Sequence, residues 1–200
     1  MFRVYDGTWG YDEHNPGFGD ARFSPFDATD SGARVPTMYL ARTPAAALLE
    51  TVFHQVHQRS ARNVYERDLV NKLMAHVRLP SDARLGDLRD AELARHRLAR
   101  DQTVATSAEH YPCTRRLAVG AHGQRMRAGR LQGLIWHSRQ AELAGSAKTA
   151  VVVIFADHYP SGRGAWVRSA PGSSNLFEGP GRLLVDELAD QLDATVQPMA

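Results

Sequence analysis

Lysine is almost missing from this chain of 200 residues. Of its 24 basic residues only Lys72 and Lys148 are lysines, and the rest are arginines. Such a bias reads first as base composition of the coding sequence and only second as function. Cysteine is as scarce. With Cys113 alone, neither an internal disulfide nor a thiolate zinc cluster can form, and a reducing cytosol is the simplest compartment. A lone cysteine after Pro112 is expected to be a buried small residue rather than a nucleophile. Long apolar runs are lacking too. The longest, Ala150 to Ala156, stops at Asp157, whereas a membrane span needs about 20 apolar residues. The opening MFRVYDGTWG has no basic start followed by an apolar stretch, so a secretory signal is not expected. G-x-S-x-G, the P-loop pattern and G-x-G-x-x-G are all absent, which removes serine-hydrolase, P-loop and dinucleotide-fold readings.

What is present is ordinary for a globular chain: 43% hydrophobic and 23% charged residues, enough to bury a core without staples. The net charge, 24 − 22 = +2, says little. Its distribution says more. Arg84 to Arg130 holds ten arginines against five acids, and Pro171 to the end holds one arginine against five acids. A solvated surface is the plain reading of both blocks, and a basic face for nucleic acid or a phosphate-bearing ligand the alternative.

Phe2 to Tyr5 reads as a strand, and the glycine-rich residues 6–20 as loop. Ala21 to Ser24 reads as a short strand or extended segment, and Thr37 to Ala41 as a strand. Thr43-Pro44 marks a helix start, with a hydroxyl cap and proline at the first position; that helix is expected to reach Gln58. Strands are expected over Val70 to Leu79, Leu131 to Trp136, Thr149 to Phe155 and Ala165 to Arg168. Helices are expected over Asp90 to Arg100, Pro112 to Met126 and Gly181 to Leu192, the last from its leucines at spacing four. The mixture has no regular βαβ repeat, which favours an α+β fold.

On a helical wheel from Pro44 to Gln58, Leu48, Leu49, Val52, Phe53 and Val56 form the core stripe, and Glu50, His54 and His57 share the opposite face. A solvated face explains that arrangement. So does a face lining a cleft, where a carboxylate acts as base or steadies a developing cation. The zinc motif H-E-x-x-H is not there, and no metal site is expected.

Three stretches taken together carry more. They are Ala21-Arg22-Phe23-Ser24-Pro25, then Met38-Tyr39-Leu40-Ala41 with Ala47-Leu48-Leu49-Glu50, then Gly133-Leu134-Ile135-Trp136-His137-Ser138-Arg139. Their order and spacing resemble the RES domain, named for its arginine, glutamate and serine; the matching positions are Arg22, Glu50 and Ser138. The helix around Thr114 to Gln124 and the strand Val151 to Phe155 fit the same pattern. The resemblance is clearest over residues 2–155, with 158–200 expected as a C-terminal extension of the same single domain. It implies an ADP-ribosyltransferase-like fold of mixed sheets with surrounding helices. It also implies a toxin of a bacterial toxin–antitoxin pair, acting in the cytoplasm on NAD+ by hydrolysis, by phosphorolysis or by ADP-ribose transfer to a protein. The implied partner is an Xre-like antitoxin that blocks the cleft; direct nucleic-acid binding and membrane association are not expected. NAD+ would be substrate, inorganic phosphate a possible co-substrate, and no separate cofactor is implied.

The residue types suit that chemistry. The leaving pyridinium is already cationic and the transition state resembles an oxocarbenium ion, so Glu50 would stabilise it electrostatically. Arg22 has the planar, permanently charged fork that a diphosphate needs. Tyr39 would stack on nicotinamide or ribose, and Ser138 would hydrogen-bond the substrate or hold Glu50. Nothing beside Ser138 marks it as an activated nucleophile, so no covalent step is expected. Consecutive strand residues face opposite ways, so His137 and Ser138 cannot both face the cleft. Two other readings compete. An mRNA-cleaving toxin would use the arginine block with His54 or His137, but Tyr111 is the only aromatic in that block. A non-catalytic binding module would tolerate loss of Arg22 or Glu50, and both are present.

Overall fold

The apolar run that is too short for a membrane is the middle of a sheet. In the computed structural model, which describes residues 1–58, 61–162 and 164–199, the elements follow in order. They are β1 (Phe2–Asp6), β2 (Thr37–Ala41), α1 (Pro44–Leu49), β3 (Asn63–Tyr65), β4 (Lys72–Arg78), β5 (Leu85–Asp87), α2 (Asp90–Arg95) and α3 (Tyr111–Gly123). After α3 come β6 (Arg125–Met126), β7 (Gly129–Arg130), β8 (Gly133–His137), α4 (Arg139–Leu143), β9 (Ala150–Phe155), β10 (Val167–Asn175), α5 (Gly179–Gln191) and β11 (Thr195–Gln197). Seven strands form one sheet in the order β10-β4-β1-β2-β9-β8-β5. All neighbours are antiparallel except β5 and β8, which run parallel. This is an α+β architecture.

Strand β9 shows why the sheet holds. Its side chains alternate, as strand geometry requires. Val151, Val153 and Phe155 pack with Phe23, Phe26, Trp136 and α3 on one face. Val152 and Ile154 pack with Met38, Leu40, Val77, Tyr159 and Trp166 on the other. A third cluster joins α1 to α5, with Leu48, Leu49 and Phe53 against Val185, Leu188, Ala189 and Leu192. Gly133, which opens β8, has no room for a side chain: a Cβ there would stand 2.1 Å from the Val153 carbonyl oxygen.

Several expectations need correction. The helix from Pro44 starts as expected, with Thr43 Oγ1 accepting from Ala46 N at 3.1 Å, but it ends at Leu49 instead of Gln58. The Thr51 hydroxyl donates back to the Ala47 and Leu48 carbonyls at 2.7 and 3.3 Å, a side-chain bond that competes with helix continuation. The helix from Asp90 also ends early, at Arg95, and the chain turns through Arg97 at positive φ. Cys113 is exposed rather than buried, because the inward stripe of α3 is Tyr111, Thr114, Ala118 and His122. Ala21 to Ser24 makes only an isolated bridge. The strand expected over Ala165 to Arg168 is the much longer β10. No helix among the described residues is long and apolar enough to cross a membrane.

Candidate active site

The early end of α1 places Glu50. As the helix C-cap, its backbone N–H bonds the Ala46 and Leu48 carbonyls, and its side chain leaves the helix toward a cleft of about 1140 Å³. Arg22, Tyr39 and Glu50 line that cleft together with His54, Tyr111 and Trp136. Ser138 lies beneath, fully buried at 0% exposure.

Ser138 follows β8 directly and caps α4. Its Oγ accepts from Ala141 N at 3.0 Å and donates to Glu50 Oε1 at 2.6 Å. A hydroxyl has one proton, so both contacts together fix the rotor: the proton points at Glu50 and a lone pair at the helix terminus. Burial pushes the Glu50 carboxyl above its usual range, while the Ser138 hydrogen bond and the Arg22 charge pull it back. His137, the preceding residue, turns the other way as strand alternation requires. It faces Asp90, 3.6 Å away, and lines a separate cleft.

Arg22 is 9% exposed. Its Nη1 donates to Thr106 Oγ1 at 2.6 Å and to the Thr103 carbonyl at 3.2 Å, and its Nη2 donates to the Thr106 carbonyl at 3.1 Å. The guanidinium lies over the Tyr111 ring, 5.2 Å from its centre. Of five guanidinium N–H donors, three are thereby used. The edge formed by Nε and the outer Nη2 hydrogen has no protein acceptor among the described residues. Burial lowers the guanidinium pKa, yet Arg stays a cation at any neutral pH. The Tyr111 hydroxyl meets His54 Nε2 at 3.3 Å, and burial followed by the Arg22 charge holds His54 below its ordinary pKa.

Tyr39 stands edge-on to Trp136, with ring centres 6.1 Å apart. Its hydroxyl accepts from Phe23 N at 3.1 Å and shares a hydrogen bond with Ser24 Oγ at 3.2 Å. Burial pushes that hydroxyl up to about 12, so it is neutral at physiological pH. The four residues singled out in the sequence are thus brought together: Glu50 on Ser138, with Arg22 and Tyr39 walling the same cleft. Sequence reading missed the threonines that hold Arg22 and left Tyr111 outside the site, its only signal being the single aromatic in the arginine block. His54 lines the cleft with Glu50 as one of the two readings of that face had it, although α1 ends at Leu49 and the two share no helical face.

A model of the RES domain matches residues 3–169. The chain belongs to the RES-domain family. No curated protein and no solved structure matches it. Membership brings NAD-directed activity of the toxin kind, and toxin–antitoxin systems as the general setting.

Away from the cleft, this RES domain has one group with metal-ligand chemistry among its described residues: His122, Asp157 and His158, whose ligand atoms lie within 4.8 Å of one another. Those atoms are engaged with protein. His122 Nε2 meets Asp157 Oδ2 at 2.8 Å, and Arg130 donates to His158 Nε2 at 3.3 Å. The two imidazoles are stacked, with centres 4.0 Å apart, rather than splayed around a common point.

Proposed function

We propose that this RES domain consumes NAD+ by cleaving the bond between nicotinamide and ribose, as the toxin of a bacterial toxin–antitoxin pair. The observation that carries the reading is the 2.6 Å hydrogen bond from Ser138 to Glu50 beside the cleft that Arg22 lines. It supplies a positioned carboxylate where positive charge would develop, with a cation nearby for phosphate.

In this reading the C–N bond to ribose breaks and its electron pair leaves on the nicotinamide nitrogen, which becomes neutral. C1 of the ribose becomes an oxocarbenium-like centre, and the Glu50 carboxylate stabilises it. An oxygen of water or inorganic phosphate then bonds to C1, and its proton passes to Glu50 or to solvent. The free Nε–Nη2 edge of Arg22 takes diphosphate oxygens, while Thr103 and Thr106 hold the rest of the guanidinium still. Tyr39, neutral, acts as ring wall rather than as base. Ser138 orients Glu50, and its only proton is committed there, so it attacks nothing. An Xre-like antitoxin that covers the cleft would silence the activity.

The mRNA-cleaving alternative fares worse. Arg89, Arg95, Arg100, Arg115 and Arg130, half of the ten-arginine block, are paired with acids, which halves the cations of that block without an acidic partner to set against a phosphate backbone. The test is product mass after incubation with NAD+, with and without phosphate. ADP-ribose alone identifies a hydrolase, and a phosphorylated ADP-ribose a phosphorylase. Unchanged NAD+ in both buffers with degraded total RNA would overturn the proposal.

A further inference from the structure

The cleft does not end at Glu50 and Arg22. It continues to Trp9 and Phe18, on the glycine-rich loop between β1 and β2. These are large apolar side chains left in water: Trp9 is 44% exposed and Phe18 68%. Their ring centres lie 6.3 Å apart, with the planes inclined by 41°. The loop holds them there by its own bonds. Asn15 Oδ1 accepts from the Gly17 and Phe18 N–H groups at 2.9 and 2.7 Å, and its Nδ2 donates to the Phe18 carbonyl at 2.9 Å. Gly17 takes a φ of 121°, open to glycine alone. At the other ring, Trp9 N donates to the Asp6 carbonyl at 3.0 Å, and Thr8 N and Oγ1 both donate to Asp6 Oδ1.

We propose that Trp9 and Phe18 form a clamp for a purine ring, the second base of the dinucleotide whose nicotinamide half lies at Glu50. The proposal rests on the NAD+ reading above. Three observations support it. The aromatic pair lines the same continuous cleft as Arg22, so a diphosphate held there can send one ring each way. A flat ring inserted between two others needs them parallel and about 7 Å apart, twice a ~3.5 Å stacking contact; from the observed 6.3 Å and 41° the two exposed side chains reach that by opening slightly and turning parallel. The cleft, about 1140 Å³, also exceeds the ~300–1,000 Å³ of ordinary small-ligand pockets, leaving room past the nicotinamide half. Stacking on aromatics tolerates any base because every base has a π-face, so the two-ring purine gains most by area.

The native fluorophores make the test direct. Trp136 and Trp166 are each 1% exposed, so acrylamide quenching reads Trp9. AMP is expected to shield Trp9 from acrylamide, and nicotinamide mononucleotide to do so far less. Phe18→Ala is expected to weaken AMP about tenfold, within the range base–aromatic stacking gives. The same variant is expected to raise KM for NAD+ by a similar factor while kcat changes much less, and Phe18→Tyr to restore both. Circular dichroism checks that the variants fold. Unchanged quenching with AMP, together with NAD+ turnover at unchanged KM in Phe18→Ala, overturns the clamp and leaves the NAD+ reading standing. Shielding by AMP in a chain that turns over no NAD+ keeps the clamp and overturns that reading. Shielding that follows protein concentration rather than AMP makes the pair a face between two copies and overturns the clamp.

Discussion

Replacing Glu50 with glutamine separates the demands of chemistry from those of folding. The substitution keeps the shape and leaves an oxygen to accept from Ser138 Oγ, which now donates at 2.6 Å. It removes the charge. A unit charge about 4 Å from a developing cation, at an effective dielectric of ~20, is worth about 4 kcal/mol. At 1.36 kcal/mol per tenfold in rate, kcat is expected to fall about a thousandfold. Stability should move the other way. Burial is the largest influence on Glu50 and raises its pKa in the fold, so between the unfolded and folded pKa values the native state binds more protons than the unfolded chain. Stability therefore drops as pH rises through that window, and at neutral pH the ionised carboxylate weighs against the fold. Glu50→Gln is expected to melt at the wild-type temperature or higher at pH 7, and to lose that advantage at pH 4. The same shift sets the pH profile: the acid limb of kcat should lie above the ~4.3 of an ordinary glutamate. Differential scanning calorimetry and NAD+ turnover read the two effects. A folded Glu50→Gln protein with full turnover would refute the reasoning, and so would a melting temperature that falls at pH 7.

Ser138→Ala removes the cap of α4 along with the bond to Glu50. Loss of the cap should cost about 1 kcal/mol, and the acid limb should move to higher pH because that bond lowers the Glu50 pKa; calorimetry and a pH–rate series measure both. Tyr39→Phe strips the acceptor from the N–H of fully buried Phe23 and should cost about 1–3 kcal/mol, visible in urea unfolding. Arg22→Lys cannot reproduce three anchoring bonds and a free edge with one ammonium; KM for NAD+ should rise at least about tenfold, as steady-state kinetics will show.

The central strands and the last helix were legible because their patterns are local. Ala150 to Phe155 alternates between two cores, and the leucines of α5 recur each turn. The break after Leu49 was not legible. There the Thr51 hydroxyl takes the Ala47 carbonyl and the Thr51 N–H turns to Leu48 instead, while the apolar period runs on to Val56 as though the helix continued. β3, β5 and β11 escaped because each has three residues, too few to show a period, and because β3 and β5 pair with strands distant in sequence. In the site, Arg22, Tyr39, Glu50 and Ser138 were reached through motif order. That Ser138 holds Glu50 was one of the two roles expected of it, whereas the anchoring of Arg22 on Thr106, 84 residues away, was not foreseen. No window of sequence contains such contacts.

The most direct test of the account is nicotinamide release, followed by proton NMR, from NAD+ incubated with the folded chain in phosphate buffer. Free nicotinamide is expected to appear with the wild type and about a thousandfold more slowly with Glu50→Gln, from the loss of the charge worked out above. NAD+ that stays intact with folded wild-type protein, or nicotinamide released equally fast by the variant, would contradict it.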